Sequence, residues 1–136
     1  MGISPHSTRR IKEDAMYTIY LEDKDLLKPE HFPVIALLNE ASNSNILEFA
    51  ENISNGVGIG YNYSTCTFWN DLDEYEQANT SKFDGLWVAN EAGEEVNISL
   101  HDLEYYLEIL YARLSSTQFS DLPKLRQILD QFKARI

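Results

Sequence analysis

The stretch Phe83-Asp-Gly-Leu-Trp-Val-Ala-Asn-Glu-Ala-Gly-Glu-Glu-Val-Asn-Ile-Ser99 decides the fold. Its two ends, residues 83–90 and 95–99, are rich in β-branched and aromatic residues and read as strands. Glu91-Ala-Gly93-Glu94 between them supplies a turn with glycine, which predicts a hairpin. Ser99-Leu-His-Asp102 is close to a capping box, so a helix begins there. Leu100, Leu103, Leu107, Leu110 and Leu114 then recur at helical spacing.

Downstream, residues 115–120 are polar and read as a loop. A last helix begins at Asp121, with Leu122, Leu125, Leu129, Phe132 and Ile136 as its stripe and Lys133 and Arg135 suiting its C-terminal dipole. Upstream, residues 59–67 form a tyrosine-rich, β-branched run read as one strand. Asn55-Gly56-Val-Gly58-Ile-Gly60 before it terminates a helix over about residues 45–54, whose apolar face is Ile46, Phe49, Ala50 and Ile53. Pro29 and Pro33 suit the start of an earlier helix over about residues 30–40, with Phe32, Ile35 and Leu38 on one face. Residues 16–21 alternate like a strand or pack as a short apolar run. Residues 1–15 read as a loose leader ahead of a single domain over 16–136, and translation starting at Met16 is an alternative to Met1. The expected fold is α+β: a small antiparallel sheet of about three strands packed with about four helices, the last two at the C-terminus.

At 136 residues and 43% hydrophobic content, the chain is large enough to bury a core without staples. One cysteine, Cys66, can form neither an internal disulfide nor a cysteine-based zinc site, so a reducing compartment is expected. No apolar run reaches the length of a membrane span, and the leader lacks the apolar stretch of a secretory signal. The expected location is the cytoplasm.

The net charge is −11, and its distribution is uneven. Residues 57–108 hold eleven acids and one base, Lys82, whereas residues 109–136 hold two acids and five bases. Such a field repels nucleic acid and anionic membranes and attracts cationic partners.

No local signature of catalysis is present. His6 lies in the leader, His31 at a proline-flanked helix start, His101 in a first helical turn and Cys66 in a strand. Gly56-Val-Gly58-Ile-Gly60 has a helix before it and a strand after it, the reverse of a dinucleotide loop. Asp71-Leu-Asp73-Glu-Tyr75 starts like a calcium loop, but Glu76 stands where glycine is needed and Lys82 where glutamate is needed. Neither a cofactor nor a metal is expected. The segment Phe68-Trp-Asn-Asp71-Leu-Asp73-Glu74-Tyr75-Glu76 instead interleaves aromatics with carboxylates, a composition suited to a surface that pairs with arginine or lysine. Asp71, Asp73, Glu74, Tyr75 and Glu76, with Glu104 and Glu108 one turn apart on the side away from the leucine stripe, are the expected contact residues.

Residues 46–114 resemble ribonuclease-toxin immunity proteins of contact-dependent growth inhibition and related polymorphic toxin systems. The resemblance rests on Phe49-Ala-Glu-Asn-Ile53, Gly58-Ile-Gly-Tyr-Asn-Tyr63, Asp71-Leu-Asp-Glu-Tyr75, Phe83-Asp-Gly-Leu-Trp-Val88, Glu95-Val-Asn-Ile-Ser99 and Leu103-Glu-Tyr-Tyr-Leu107. It implies a cytoplasmic protein with no activity of its own that binds one basic nuclease toxin domain, blocking its active site or RNA-binding surface. The family fixes no contact residues. Two other expectations stand beside it: an acidic adaptor or anti-regulator of a nucleic-acid-binding protein, and a small hydrolase built on scattered acids.

Overall fold

Leu86, Val88 and Ile98 are buried while Trp87 and Asn97 between them are exposed, so strict alternation sets the two faces of the sheet. The computed structural model describes residues 17–136. In it, β3 (Leu86–Asn90) pairs antiparallel with β4 (Glu95–Ile98), with Val88 opposite Val96. Asn90 organises the turn: its Oδ1 accepts from the Ala92 and Glu94 amides, and Gly93 takes a positive φ of 86°.

The run expected as one strand is two. β1 (Ile59–Gly60) and β2 (Ser64–Thr67) form a tight hairpin closed by the Tyr61 amide donating to the Ser64 carbonyl at 2.7 Å. Asn62, a turn former, sits at the bend between two tyrosines whose β-propensity conceals it. The sheet therefore has four strands in the order β1-β2-β3-β4, all antiparallel.

One face of this sheet is covered by α1 (Phe32–Ser42), which touches β2, β3 and β4 and follows a 3-10 turn at Pro29–His31. Val34, Ile35, Leu37, Leu38 and Ala41 are all buried, so this helix is apolar nearly all round. Phe32, expected on the buried face, points outward instead and is 44% exposed. Three helices form the other side of the core. α2 (Ile46–Ser54) starts at the cap Asn45, whose Oδ1 accepts from the Glu48 amide, and buries Ile46, Phe49, Ala50 and Ile53 as expected. It ends in a Schellman motif: the Val57 amide donates to the Asn52 carbonyl, the Gly56 amide donates to Ile53, and Gly56 has φ 72°. α4 (Leu100–Leu114) is capped by Ser99 Oγ, which accepts from the Asp102 amide at 3.1 Å. α5 (Leu122–Arg135) packs on both α2 and α4, and its Arg135 donates to the Ser54 carbonyl at the C-terminus of α2. A single core runs from Leu21 to Phe132.

The segment read as a strand or apolar run at residues 16–21 joins no sheet; Met16 lies outside the described residues. It is held by side chains of α1. Asn39 Oδ1 accepts from the Tyr20 and Leu21 amides at 2.9 and 3.0 Å, and its Nδ2 donates to the Leu21 carbonyl at 3.0 Å. One turn later, Asn43 exchanges the same pair of bonds with Thr18. Two asparagines thus replace a neighbouring strand and seat Leu21 in the core. A second tie is electrostatic. Arg113 forks onto Asp25 at 2.6 and 2.7 Å and also donates to the Tyr20 carbonyl. The Asp25 side chain is only 8% exposed, and the guanidinium holds its carboxyl down to about 2.

Both ties generate expected outcomes. Asn39→Leu strands buried backbone groups at about 1–3 kcal/mol each, so urea unfolding should show a midpoint drop worth roughly 2–4 kcal/mol with an unchanged slope. Exposed Asn43→Ala should cost under about 1 kcal/mol. Asp25 has a depressed folded pKa, so its stabilisation is complete above the unfolded value and is lost as pH falls through the folded one. Asp25→Asn should therefore be less stable than wild type by about 2 kcal/mol at neutral pH, and the gap should close between roughly pH 4 and pH 2.

Candidate protein-binding surface

Leaving β2, the chain turns through Phe68 into a 3-10 turn at Trp69–Asp71 and then the short helix α3 (Glu74–Ala78). Asp71 fixes this turn. Its Oδ2 accepts from the Phe68 amide at 2.6 Å and the Gly58 amide at 2.9 Å. Gly58 makes that approach possible, since a Cβ there would lie 2.2 Å from the Cys66 carbonyl oxygen and 2.7 Å from Asp71 Oδ2. Asp73 caps α3 in a reciprocal box: its Oδ1 accepts from the Glu76 amide at 2.8 Å, and Glu76 Oε1 accepts from the Asp73 amide at 3.0 Å.

Three of the expected contact acids, Asp71, Asp73 and Glu76, thus each spend one oxygen on the backbone, and all three residues stay exposed. Glu74 is exposed beside them, and Tyr75 is the most exposed large hydrophobic residue described, at 77%. The backbone bonds hold Asp71, Asp73 and Glu76 in one arrangement, which would lower the ordering cost of any interface built on them.

Glu104 and Glu108 are placed differently. Both are half-buried on α4. Arg126 of α5 donates to both carboxylate oxygens of Glu108, at 2.9 and 2.6 Å, and holds that carboxyl below the usual range. Arg126 also bonds Asp130 and lies 4.7 Å over the Tyr111 ring. Glu108 belongs to the α4–α5 seam, and no described hydrogen bond or ion pair joins either glutamate to the acidic turn.

Trp69, one of the aromatics of the expected surface segment, opens an array whose other members, Phe83 and Trp87, are not among the contact residues expected from sequence. Trp69 and Phe83 meet edge to face with centroids 5.5 Å apart, and Phe83 and Trp87 are 5.4 Å apart. Lys82 Nζ sits 5.6 Å over Trp69, and Trp87 Nε1 donates to Glu95 at 2.6 Å. Trp87 lies with Thr65, Glu95 and Asn97 on the sheet face that α1 leaves open. The signal was present in Leu86-Trp-Val88: if Leu86 and Val88 face the core, a period of two turns Trp87 outward. A cavity of about 280 Å³ lies beside Trp69 and Phe83, lined also by Phe68, Lys82 and Leu100.

Of the groups weighed for catalysis, His31 and His101 line one open cavity of about 540 Å³, and Cys66 is not among its lining residues. Cys66 is buried, its Sγ faces the Ile59 carbonyl at 3.5 Å, and burial pushes its thiol up to about 11. His31 is buried with Nδ1 2.9 Å from the Tyr106 hydroxyl, which accepts from the Leu27 amide. Burial lowers the imidazole's pKa. His101 is exposed in the first turn of α4. Among the described residues no group of three or more His, Cys, Asp or Glu side chains is placed to hold a metal ion, and no helix is long and apolar enough to cross a membrane.

Native Cys66 should therefore resist a thiol reagent such as DTNB at about pH 8 and react fully only in denaturant. Rapid labelling of the folded protein would contradict this placement.

No protein-family model, no curated protein and no solved structure matches this chain.

Proposed function

We propose that this protein is an immunity protein that binds a cognate bacterial ribonuclease toxin in the cytoplasm and blocks its active site or RNA-binding surface, with no catalytic activity of its own. One observation carries the reading: four carboxylates, three of them bonded to backbone amides, stand with Tyr75 on one exposed turn beside the Trp69–Phe83–Trp87 array. A ribonuclease presents cations to phosphates, so the surface that grips RNA is the surface an acidic inhibitor is steered to. Aromatics beside the carboxylates supply the desolvated contact that slows dissociation.

The internal ion pairs sharpen the field. Arg113, Arg126 and Arg135 are all consumed by partners within the fold. Among the described residues, the only acids within 4 Å of a described cation are Asp25, Glu108 and Asp130. Asp71, Asp73, Glu74 and Glu76 carry the steering and Tyr75, Trp69 and Trp87 the contact, while Glu108 is spent on Arg126. Nuclease–inhibitor pairs of this kind reach Kd values of about 10⁻¹³ M.

The test is stoichiometric inhibition of RNA cleavage by a basic nuclease domain recovered with this protein as bait at low salt. The fourfold variant D71N/D73N/E74Q/E76Q keeps every backbone acceptor while removing four charges. Its association rate should fall by about tenfold or more at low salt, and wild type should lose most of that advantage at high salt. Tyr75→Ala should act mainly on dissociation. A nuclease whose cleavage continues at saturating protein, or an association rate indifferent to both salt and the four charges, would sink the proposal.

A further inference from the structure

A groove of about 540 Å³ runs between the extended segment at residues 17–21 and α1. Tyr17, Ile19, Phe32 and Tyr63 line it, and all four are exposed large hydrophobics. They are also contiguous, which single scattered apolar residues on a surface are not. Phe32 lies here because it turns away from the core that α1 otherwise fills.

Glu40 gives the groove a chemical preference. Its Oε2 accepts from the Tyr63 amide at 3.0 Å. Its Oε1 is buried and has no hydrogen-bond partner. The fold therefore leaves one of the two Glu40 oxygens without a donor, so the carboxylate keeps an unmet demand for a positive partner. Burial first, and the Glu40 carboxylate second, raise the Tyr17 phenol, so Tyr17 stays neutral and offers no competing charge. Glu22, Asp23 and Lys24 also line the groove, which leaves it net negative with Glu40.

We infer that this groove is a second docking point, which takes a lysine or arginine side chain of a partner protein together with an adjacent apolar residue. The cation pairs with the Glu40 carboxylate at the groove wall, and its aliphatic stem and apolar neighbour cover Phe32, Ile19 and Tyr63. Lysine and arginine are amphipathic in this way, with an apolar stem below a charged head. The inference rests on the proposed binding function for the partner being a basic protein. The preference of the groove for an apolar cation is independent of it.

The probe is benzamidine, an apolar ring bearing a cation, titrated into the full ¹⁵N-labelled chain. Saturable amide shifts are expected at Ile35, Ala36, Tyr63 and Ser64. Neutral benzamide and anionic benzoate should produce none. Glu40→Gln, which keeps an acceptor for the Tyr63 amide, should weaken benzamidine by about tenfold or more. Equal shifts with benzamide, or no effect of Glu40→Gln, would overturn the inference by showing a merely apolar groove. Binding that emerges only when Arg9, Arg10 and Lys12 are changed to serine would overturn it too, because the occupant would then be this chain's own leader. A benzamidine response with no nuclease inhibition would remove the toxin reading and leave the cation site standing; the converse would do the opposite.

Discussion

The rest of the structure depends on burying α1 against one face of a four-stranded sheet. A sheet this small must cover a face to be stable, and α1 is the helix that reaches β2, β3 and β4 together. Each buried aliphatic side chain there contributes about 1.5–3 kcal/mol, and Val34, Leu37, Leu38 and Ala41 meet Leu86, Val88 and Ile98 in one cluster. α1 then has to satisfy the elements on its other sides. Asn39 does this for the N-terminal segment, which has no strand to pair with and would otherwise bury bare backbone. One helix therefore supplies an apolar surface to the sheet and a polar ladder to an extended chain. That is why its sequence shows so little of the one-sided pattern expected of a surface helix.

The electrostatics follow a similar division. The arginines close gaps between elements: Arg113 joins α4 to the Asp25 turn, Arg126 joins α5 to α4, and Arg135 joins α5 to the end of α2. The Arg126–Glu108 pair is partly exposed, with side-chain accessibilities of 30% and 37%, so it registers the two helices more than it stabilises them. The acids of the 68–76 turn have a different use. Asp71, Asp73 and Glu76 bond backbone amides, of this turn and of Gly58, which neutralises none of their charge. The same residues thus shape the loop and project the field.

Legibility in the sequence followed the strength of local signals. α2, α4 and α5 were readable because their apolar residues recur at helical spacing and their caps, Asn45 and Ser99, stand in place. The β3–β4 hairpin was readable from Gly93 and the alternating residues beside it. The β1–β2 hairpin was hidden because Tyr61 and Tyr63 flank the turn with strand-forming side chains. The extended segment at residues 17–21 carries a strand's composition but finds its partners in side chains 18 to 25 residues away, which no local pattern encodes. Of the expected contact residues, the five in the turn stand together because a single loop carries them. Glu108 is paired inside the fold, which the spacing of acids on a helix does not reveal, because Arg126 reaches it from another helix.

Covering only one face of the sheet has a consequence for function. With all four main helices on or beyond the α1 side, Thr65, Trp87, Glu95 and Asn97 look outward and the aromatic array continues from them to the acidic turn. A second layer of helix there would have buried Trp87 and hidden the carboxylates. The fold gives up that apolar burial and leaves an exposed aromatic surface, the one on which the proposed partner would dock. Trp87 shows how the exposure is made tolerable: its indole N–H is bound by Glu95 and its ring by Phe83, so it is neither loose nor unsatisfied. A side chain held ready in this way loses little entropy on association, so more of its contact area is available as affinity.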